Sequence, residues 1–393
     1  METRALFLTP EAPYPATGGG ALRSASLVEY FGRRYALDVI VFREPGAPDP
    51  ASYIPRHLVR DVLVLDLPWH SRRPAARLGR NLRRLVRGVP PLNDRFAGFG
   101  SAVADYLRGR RYRLSVIEHF WCAPYWERVA PSSETVVLDL HNVESVLMAR
   151  YAAAESWPTA QIFRRFQRSA LALERRWLPC FDLLLAASDR DAETLRGISP
   201  QSRVHVYPNA LPLVAEPAVR EEHVLAFSGN FDYRPNADAV RHFYRRMWPL
   251  LRREWPDLVW RLIGKHPETV KRYLGSDPGV QVLGPPDDAV AALAAAKVVV
   301  VPLRAASGTR VKILEAWAAG RPVVSTTVGA EGLPAKDGEH LLLANTPPQF
   351  VRAVSVLLES ADMRRRLGSA GRLLYERGFT WEAAWSRLAE TIL

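Results

Sequence analysis

Short apolar runs alternate with longer stretches whose apolar positions repeat at helical spacing, and the pattern runs through the chain twice. In the first half the apolar runs are 5–9 (ALFLT), 37–42 (LDVIVF), 62–67, 114–118, 135–140, 183–187 and 204–207. Helical spacing follows in 21–31, with Leu22, Leu27, Val28 and Phe31 on one face, and in 164–178, with Phe166, Leu171, Leu173 and Trp177. Strands separated by helices imply βα units and a parallel sheet covered on both faces. Three prolines, Pro208, Pro212 and Pro217, then mark a linker. Beyond it the alternation restarts, with strands expected at 223–228, 259–263, 280–283, 298–302 and 322–325. Helices are expected at 236–251, 289–296, 311–319, 348–359, 363–377 and 381–393. The expected architecture is α/β: an N-terminal Rossmann-like domain over 1–210, a second over 218–375 facing it across a cleft, and a C-terminal helix, 376–393, packing back on the first.

Length agrees with two cores, because 393 residues exceed what one ordinary core organises. Two cysteines, Cys122 and Cys180, give no disulfide framework and no cysteine-based zinc site. The start of the chain lacks the long apolar segment of a signal peptide. The most apolar stretch, 289–303, carries Lys297 and Pro302 and does not suit a membrane span. The expectation is a cytoplasmic protein. The net charge of +12 is concentrated: between Arg56 and Arg113 fourteen arginines face four acids, Asp61, Asp66, Asp94 and Asp105. Such a block is either a set of solvated helix faces or a positive field for an anionic membrane, which would make the protein peripheral to the inner face. No zinc-finger, RNA-recognition or helix-turn-helix signature accompanies it, so nucleic acid is not an expected partner.

Three segments carry chemistry. Gly18, Gly19 and Gly20 lie between the first strand and first helix, where a glycine cluster lets backbone approach a ligand and a helix start favours anions. The strand 135–140 ends in His141, Asn142 and Glu144, and the preceding strand in Glu118 and His119. Carboxyl ends of parallel strands face the ligand crevice, so both clusters are expected to line it. His141 suits a sugar contact or proton traffic near pH 7, and Asn142 is the residue placed to cap the next helix. In the third segment, 301–324, a strand runs through Ser307, Gly308, Thr309 and Arg310 into a helix opening with Val311 and Lys312. Free N–H groups and two cations there suit a diphosphate, and Glu315 on the same helix suits the two hydroxyls of a ribose.

The segment EAWAAGRPVV, 315–324, with its upstream turn resembles the donor site of the family-4 retaining glycosyltransferases of the GT-B fold. Gly229 in FSGN resembles the turn after the first strand of their donor domain, and 326–332 (TTVGAEG) resembles the loop after a later one. Gly18–Gly20 and His141 match a glycine loop and a histidine of their acceptor domain, which implies that the neighbouring His119, Asn142 and Glu144 face the acceptor. The resemblance implies transfer, with retention, from a nucleotide-diphosphate sugar to a hydroxyl of a lipid-linked glycan, a polysaccharide or a small glycoside. No bound cofactor is expected beyond the sugar nucleotide. Two departures stand out. Ser307 occupies the place of the first glutamate of the family's Glu-x7-Glu pattern. Asn230 stands where a diphosphate-binding arginine is expected, with Arg234 near the place of its partner lysine. Arg310 and Lys312 are therefore expected to neutralise the diphosphate, assisted by Arg234, next to Gly229, Asn230, Gly19 and Gly20. The one Asp-x-Asp, Asp189–Asp191, is expected to open a helix rather than bind metal, which leaves a metal-independent reaction. Two alternatives share the same donor cleft: a nucleotide-sugar epimerase using Glu118, His119, His141 and Glu144, or a silent nucleotide-sugar-binding module.

Overall fold

The computed structural model describes residues 3–71, 73–305 and 311–392. They fall into two compact units: Met1–Pro208 with Thr391–Leu393, and Asn209–Glu390.

The first unit is built on a seven-stranded sheet. Its strands are β1 (Arg4–Thr9), β2 (Ala36–Arg43), β3 (Asp61–Asp66), β4 (Tyr112–Glu118), β5 (Ser133–Leu140), β6 (Leu183–Ala186) and β7 (Val204–Val206). The order is β3-β2-β1-β4-β5-β6-β7, and every pairing is parallel. Leu6, Leu8, Ile40, Ile117, Leu138 and Leu184 are all buried in one core cluster. A sheet covered on both faces requires apolar runs rather than alternation, which is what β1, β2 and β6 carry.

The second unit holds six strands: β8 (Glu222–Ser228), β9 (Val259–Ile263), β10 (Val280–Leu283), β11 (Ala296–Val301), β12 (Val323–Ser325) and β13 (Leu342–Leu343). Their order is β10-β9-β8-β11-β12-β13, again all parallel. Both sheets reverse direction beside their own first strand, between β1 and β4 in one and between β8 and β11 in the other. In open α/β sheets this switch point, at the carboxyl ends of the strands, is where ligands bind.

Two local expectations are corrected. Gly19 and Gly20 are not loop residues: they open the helix Gly19–Gly32, and Gly18, at φ 94°, is its N-cap. The helix expected at 236–251 is two helices, Arg234–Arg246 and Trp248–Glu254, because Pro249 has no N–H to continue the ladder. The proline-rich 208–217 segment begins where the first unit ends and is fastened at two points. Leu211 exchanges backbone hydrogen bonds with Phe379 and Trp381, and the Tyr375 hydroxyl donates to the Pro212 carbonyl at 2.7 Å.

Candidate active site

In the second unit the helix Val311–Ala318 follows β11 and is stopped by a glycine-based cap. Gly320 takes φ 67°; its N–H bonds the Trp317 carbonyl and the Arg321 N–H reaches the Ala316 carbonyl. This left-handed closure explains the AAGRP end of the motif, since other residues resist that conformation. The helix holds Glu315 beside the end of β8, where Ser228 Oγ donates to Glu315 Oε2 at 3.1 Å. That bond spans the switch point. Glu315 is 8% exposed, and burial raises its pKa, opposed by the Lys312 charge and the Ser228 hydroxyl.

Lys312 lies in the first turn of this helix. Its Nζ donates to Asn236 Oδ1 at 3.2 Å and sits 5.6 Å from the centre of the Phe227 ring. Asn236, almost fully buried in the first turn of the helix Arg234–Arg246, donates from Nδ2 to the Asn230 carbonyl at 2.8 Å. One amide therefore ties Lys312 to the loop after β8. Gly229 in that loop is packed closely from below: a Cβ on Gly264 would stand 1.7 Å from the Gly229 carbonyl oxygen. Glu315, Lys312, Gly229 and Asn230 thus share one end of one sheet. Arg234 begins the adjacent helix and is exposed. Val311 opens the helix Val311–Ala318; Ser307, Gly308, Thr309 and Arg310 lie outside the described residues.

The first unit has its own polar cluster at the equivalent point. Thr9, ending β1, donates to Glu118 Oε2 at 2.5 Å, so here a side-chain bond joins the two strands that flank the switch. Ser24 Oγ donates to both Glu118 oxygens at 2.7 and 2.8 Å. Arg23, fully buried, grips Asp139 from Nε at 2.8 Å and Nη2 at 2.5 Å, while its Nη1 donates to the Tyr207 carbonyl at 2.5 Å. His141 Nε2 lies 2.9 Å from Glu118 Oε1 and 3.3 Å from Asp139 Oδ2.

Burial alone would lower the His141 pKa. The charges of Glu118 and Asp139 and the bonds to both override it and raise the value to about 9. A pKa that high favours the sugar contact over proton traffic near pH 7 as the role of His141. Two cations, Arg23 and His141, then face two carboxylates in a buried, balanced group. Burial pushes the Asp139 carboxyl up, but Arg23 and His141 bring it below the usual carboxylate range.

The other side of His141 is turned to the glycine-rich helix start. A Cβ on Gly20 would stand 4.0 Å from its Nδ1, and Gly18 offers no side chain to cap the helix. The Glu11 carboxylate also stands at this uncapped helix start, 3.0 Å from where a Cβ on Gly20 would lie, so the corner already brings an acid to the helix N-terminus beside the imidazolium.

The expected acceptor residues are placed differently from one another. His119 is buried at φ 62°, stacked on Trp121 with ring centres 4.2 Å apart and tilted against His141 at 3.6 Å. Burial and the neighbouring His141 charge hold it well below the ordinary histidine pKa, so it stays neutral. Glu144 is buried and accepts from Trp121 Nε1 at 3.0 Å; burial, then Glu174, push its pKa up to about 7. Asn142 does not cap the following helix. Its N-cap is Val143, with no side-chain bond, and Asn142 is half-buried.

Glu118, Asp139 and His141 have the ligand atoms of a metal triad within 4.8 Å of one another. Those atoms are already engaged by Arg23, Thr9, Ser24 and each other, so the group does not fit a cation. The Asp-x-Asp opens the helix Asp189–Ile198, and Ser188 caps it by accepting from the Asp191 N–H at 3.2 Å.

Sequence reasoning found Glu315, Lys312, His141 and the glycines but not Ser228, Asn236, Thr9, Arg23 or Asp139. The visible signal for the last two was a charge inside an otherwise apolar helix face and strand.

Two Rossmann-like α/β units, each with a polar group at its switch point, define the class as GT-B. A family model described as glycosyl transferases group 1 matches residues 222–360. The D-inositol 3-phosphate glycosyltransferase of Corynebacterium diphtheriae is 34% identical over 398 residues, covering 88% of this chain and 90% of that protein. The chain belongs to the group 1 glycosyltransferases. Sucrose-phosphate synthase from Thermosynechococcus elongatus shares the fold with a TM-score of 0.73 and 19% identity, over 99% of this chain and 98% of that one. Anabaena HepE, solved with UDP and glucose, superposes with a TM-score of 0.67 and 15% identity, over 99% of each chain.

Proposed function

We propose that this glycosyltransferase moves a sugar from a nucleotide-diphosphate sugar to a hydroxyl acceptor, with retention and without a metal ion. The observation that carries the donor reading is Glu315, buried at the switch point with Ser228 on one oxygen and Lys312 one turn before it. A buried carboxylate there suits a ribose diol. Lys312, joined by Arg310 and Arg234 in this reading, supplies positive charge where the departing diphosphate gathers negative charge in the transition state. Gly229, Asn230 and the segment Ser307–Thr309 complete the donor pocket in the same reading.

The first unit supports a front-face route. A carboxylate nucleophile needs a free oxygen, and both Glu118 and Asp139 are bonded within the buried group. The same bonding argues against an epimerase, whose acid and base must exchange protons. His141 and the start of helix Gly19–Gly32 suit the donor's sugar or phosphate, or a phosphate on the acceptor. The Corynebacterium relative is named for a phosphorylated compound, D-inositol 3-phosphate. His119, Asn142 and Glu144 border this corner and are the acceptor residues of the reading.

The test needs no acceptor. Slow hydrolysis of the bound donor, followed by NMR in the presence of EDTA, is expected to release sugar first in the donor's own anomeric configuration. Release of the opposite anomer first, or loss of turnover in EDTA, would remove retention or metal independence respectively.

A further inference from the structure

The helix Pro74–Arg87, PAARLGRNLRRLVR, contains no acidic residue. At about 100° per residue, Ala75, Leu78, Leu82, Leu85 and Val86 share one face, and Arg80, Arg83, Arg84 and Arg87 share the other. A helix on the surface of a globular unit turns its apolar stripe inward. This one does the reverse. Leu78, Leu82 and Val86, at successive i, i+4 positions, are 70%, 59% and 72% exposed. Two arginines of the opposite face are the ones turned inward: Arg84 Nε donates to Asp94 Oδ2 at 2.6 Å with its side chain 12% exposed, and Arg80 donates to the carbonyl of Ser71, just ahead of the helix, at 2.8 Å. Arg83, about 60° around the helix from Val86, and Arg87 stay exposed. Trp69, in the segment leading into the helix, is also 70% exposed.

We propose that this inverted helix seats the first unit on an anionic phospholipid surface. Leu78, Leu82 and Val86 enter the boundary between headgroups and acyl chains, and Arg83 and Arg87 meet lipid phosphates. The combination chooses the occupant. A nucleic acid would use the arginines and leave the leucines in water, and an ordinary protein partner would not need an acid-free helix within a block of fourteen arginines against four acids. Binding is read without donor or acceptor, so the outcome is independent of the transfer chemistry proposed above.

The experiment is co-sedimentation of the full chain with phosphatidylcholine vesicles and with vesicles containing roughly one-third phosphatidylglycerol, at low and high salt. The expected result is binding to the anionic vesicles alone, weakened by salt. The triple variant Leu78→Gln, Leu82→Gln, Val86→Gln should lose about tenfold in binding with an unchanged circular dichroism spectrum, because the replaced side chains project into water. Hydrogen exchange in the unmodified chain should show protection of 74–87 when anionic vesicles are added, a readout that no variant's folding can obscure. No sedimentation with anionic vesicles, or undiminished binding by the triple variant, would overturn the proposal. So would a concentration-dependent dimer abolished by the same variant, which would make the stripe a contact between copies, or binding to duplex DNA in place of vesicles.

Discussion

At the level of single residues the first unit is governed by four buried charges, Arg23, Asp139, His141 and Glu118. Removing one member leaves another uncompensated. Asp139→Asn is expected to cost about 3–5 kcal/mol, measured by urea unfolding, whereas breaking an exposed pair such as Arg108–Asp105 should cost about 1 kcal/mol or less. The group also sets a pH dependence. His141 binds its proton more tightly in the fold, about 9 against an ordinary 6.5, so its contribution is complete below about pH 6.5 and is lost as pH rises through 9. Glu144 acts in the same direction at lower pH, since its carboxyl keeps a proton up to about 7 rather than 4.5. Thermal stability should therefore fall as pH rises from about 6.5 to 9, and His141→Gln should flatten that slope; a flat profile in the unaltered protein would contradict the charged histidine. None of this balance is legible in sequence. Arg23 and Asp139 lie 116 residues apart, and only the sheet order brings them together.

At the level of elements, reading by period recovers most strands because a parallel strand buried on both faces is a plain apolar run. Its errors have physical causes. Pro249 splits a helix whose apolar spacing continues across the break, and the two glycines opening the helix Gly19–Gly32 have low helical propensity but accept the geometry. The helix Pro74–Arg87 is visible in the sequence only as an arginine block, and its orientation is not, since the usual rule would turn its apolar stripe toward the core. Two substitutions test the elements that present the site. Gly264→Ala places a methyl group against the Gly229 carbonyl, so it should cost about 1–3 kcal/mol in stability and weaken donor binding, because the loop after β8 has to move. Gly20→Ala fills the space before His141 Nδ1, where its Cβ would otherwise meet only the end of the Glu11 side chain at 3.0 Å. It should leave the melting temperature nearly unchanged while lowering donor or acceptor affinity by about tenfold, separable by titrating each alone.

At the level of the whole molecule, the two units repeat one solution. Each reverses its strand order beside its first strand, and each bridges that point with a hydroxyl-to-carboxylate bond, Thr9 to Glu118 and Ser228 to Glu315. The sequence shows two βα arrays and a glycosyltransferase-like motif, but not the strand order, which depends on how crossovers pack. Among the described residues no helix is long and apolar enough to cross a membrane. The central claim is that the second unit receives a nucleotide-diphosphate sugar on Glu315 and Lys312, and calorimetric titration tests it most directly. UDP-, GDP-, dTDP- and ADP-sugars would be titrated into the protein in EDTA, and again into Glu315→Ala. The account predicts selective binding of one of them, undiminished by EDTA and weakened at least about tenfold in the variant. Equal binding by the variant, or no binding of any diphosphate sugar, would contradict it.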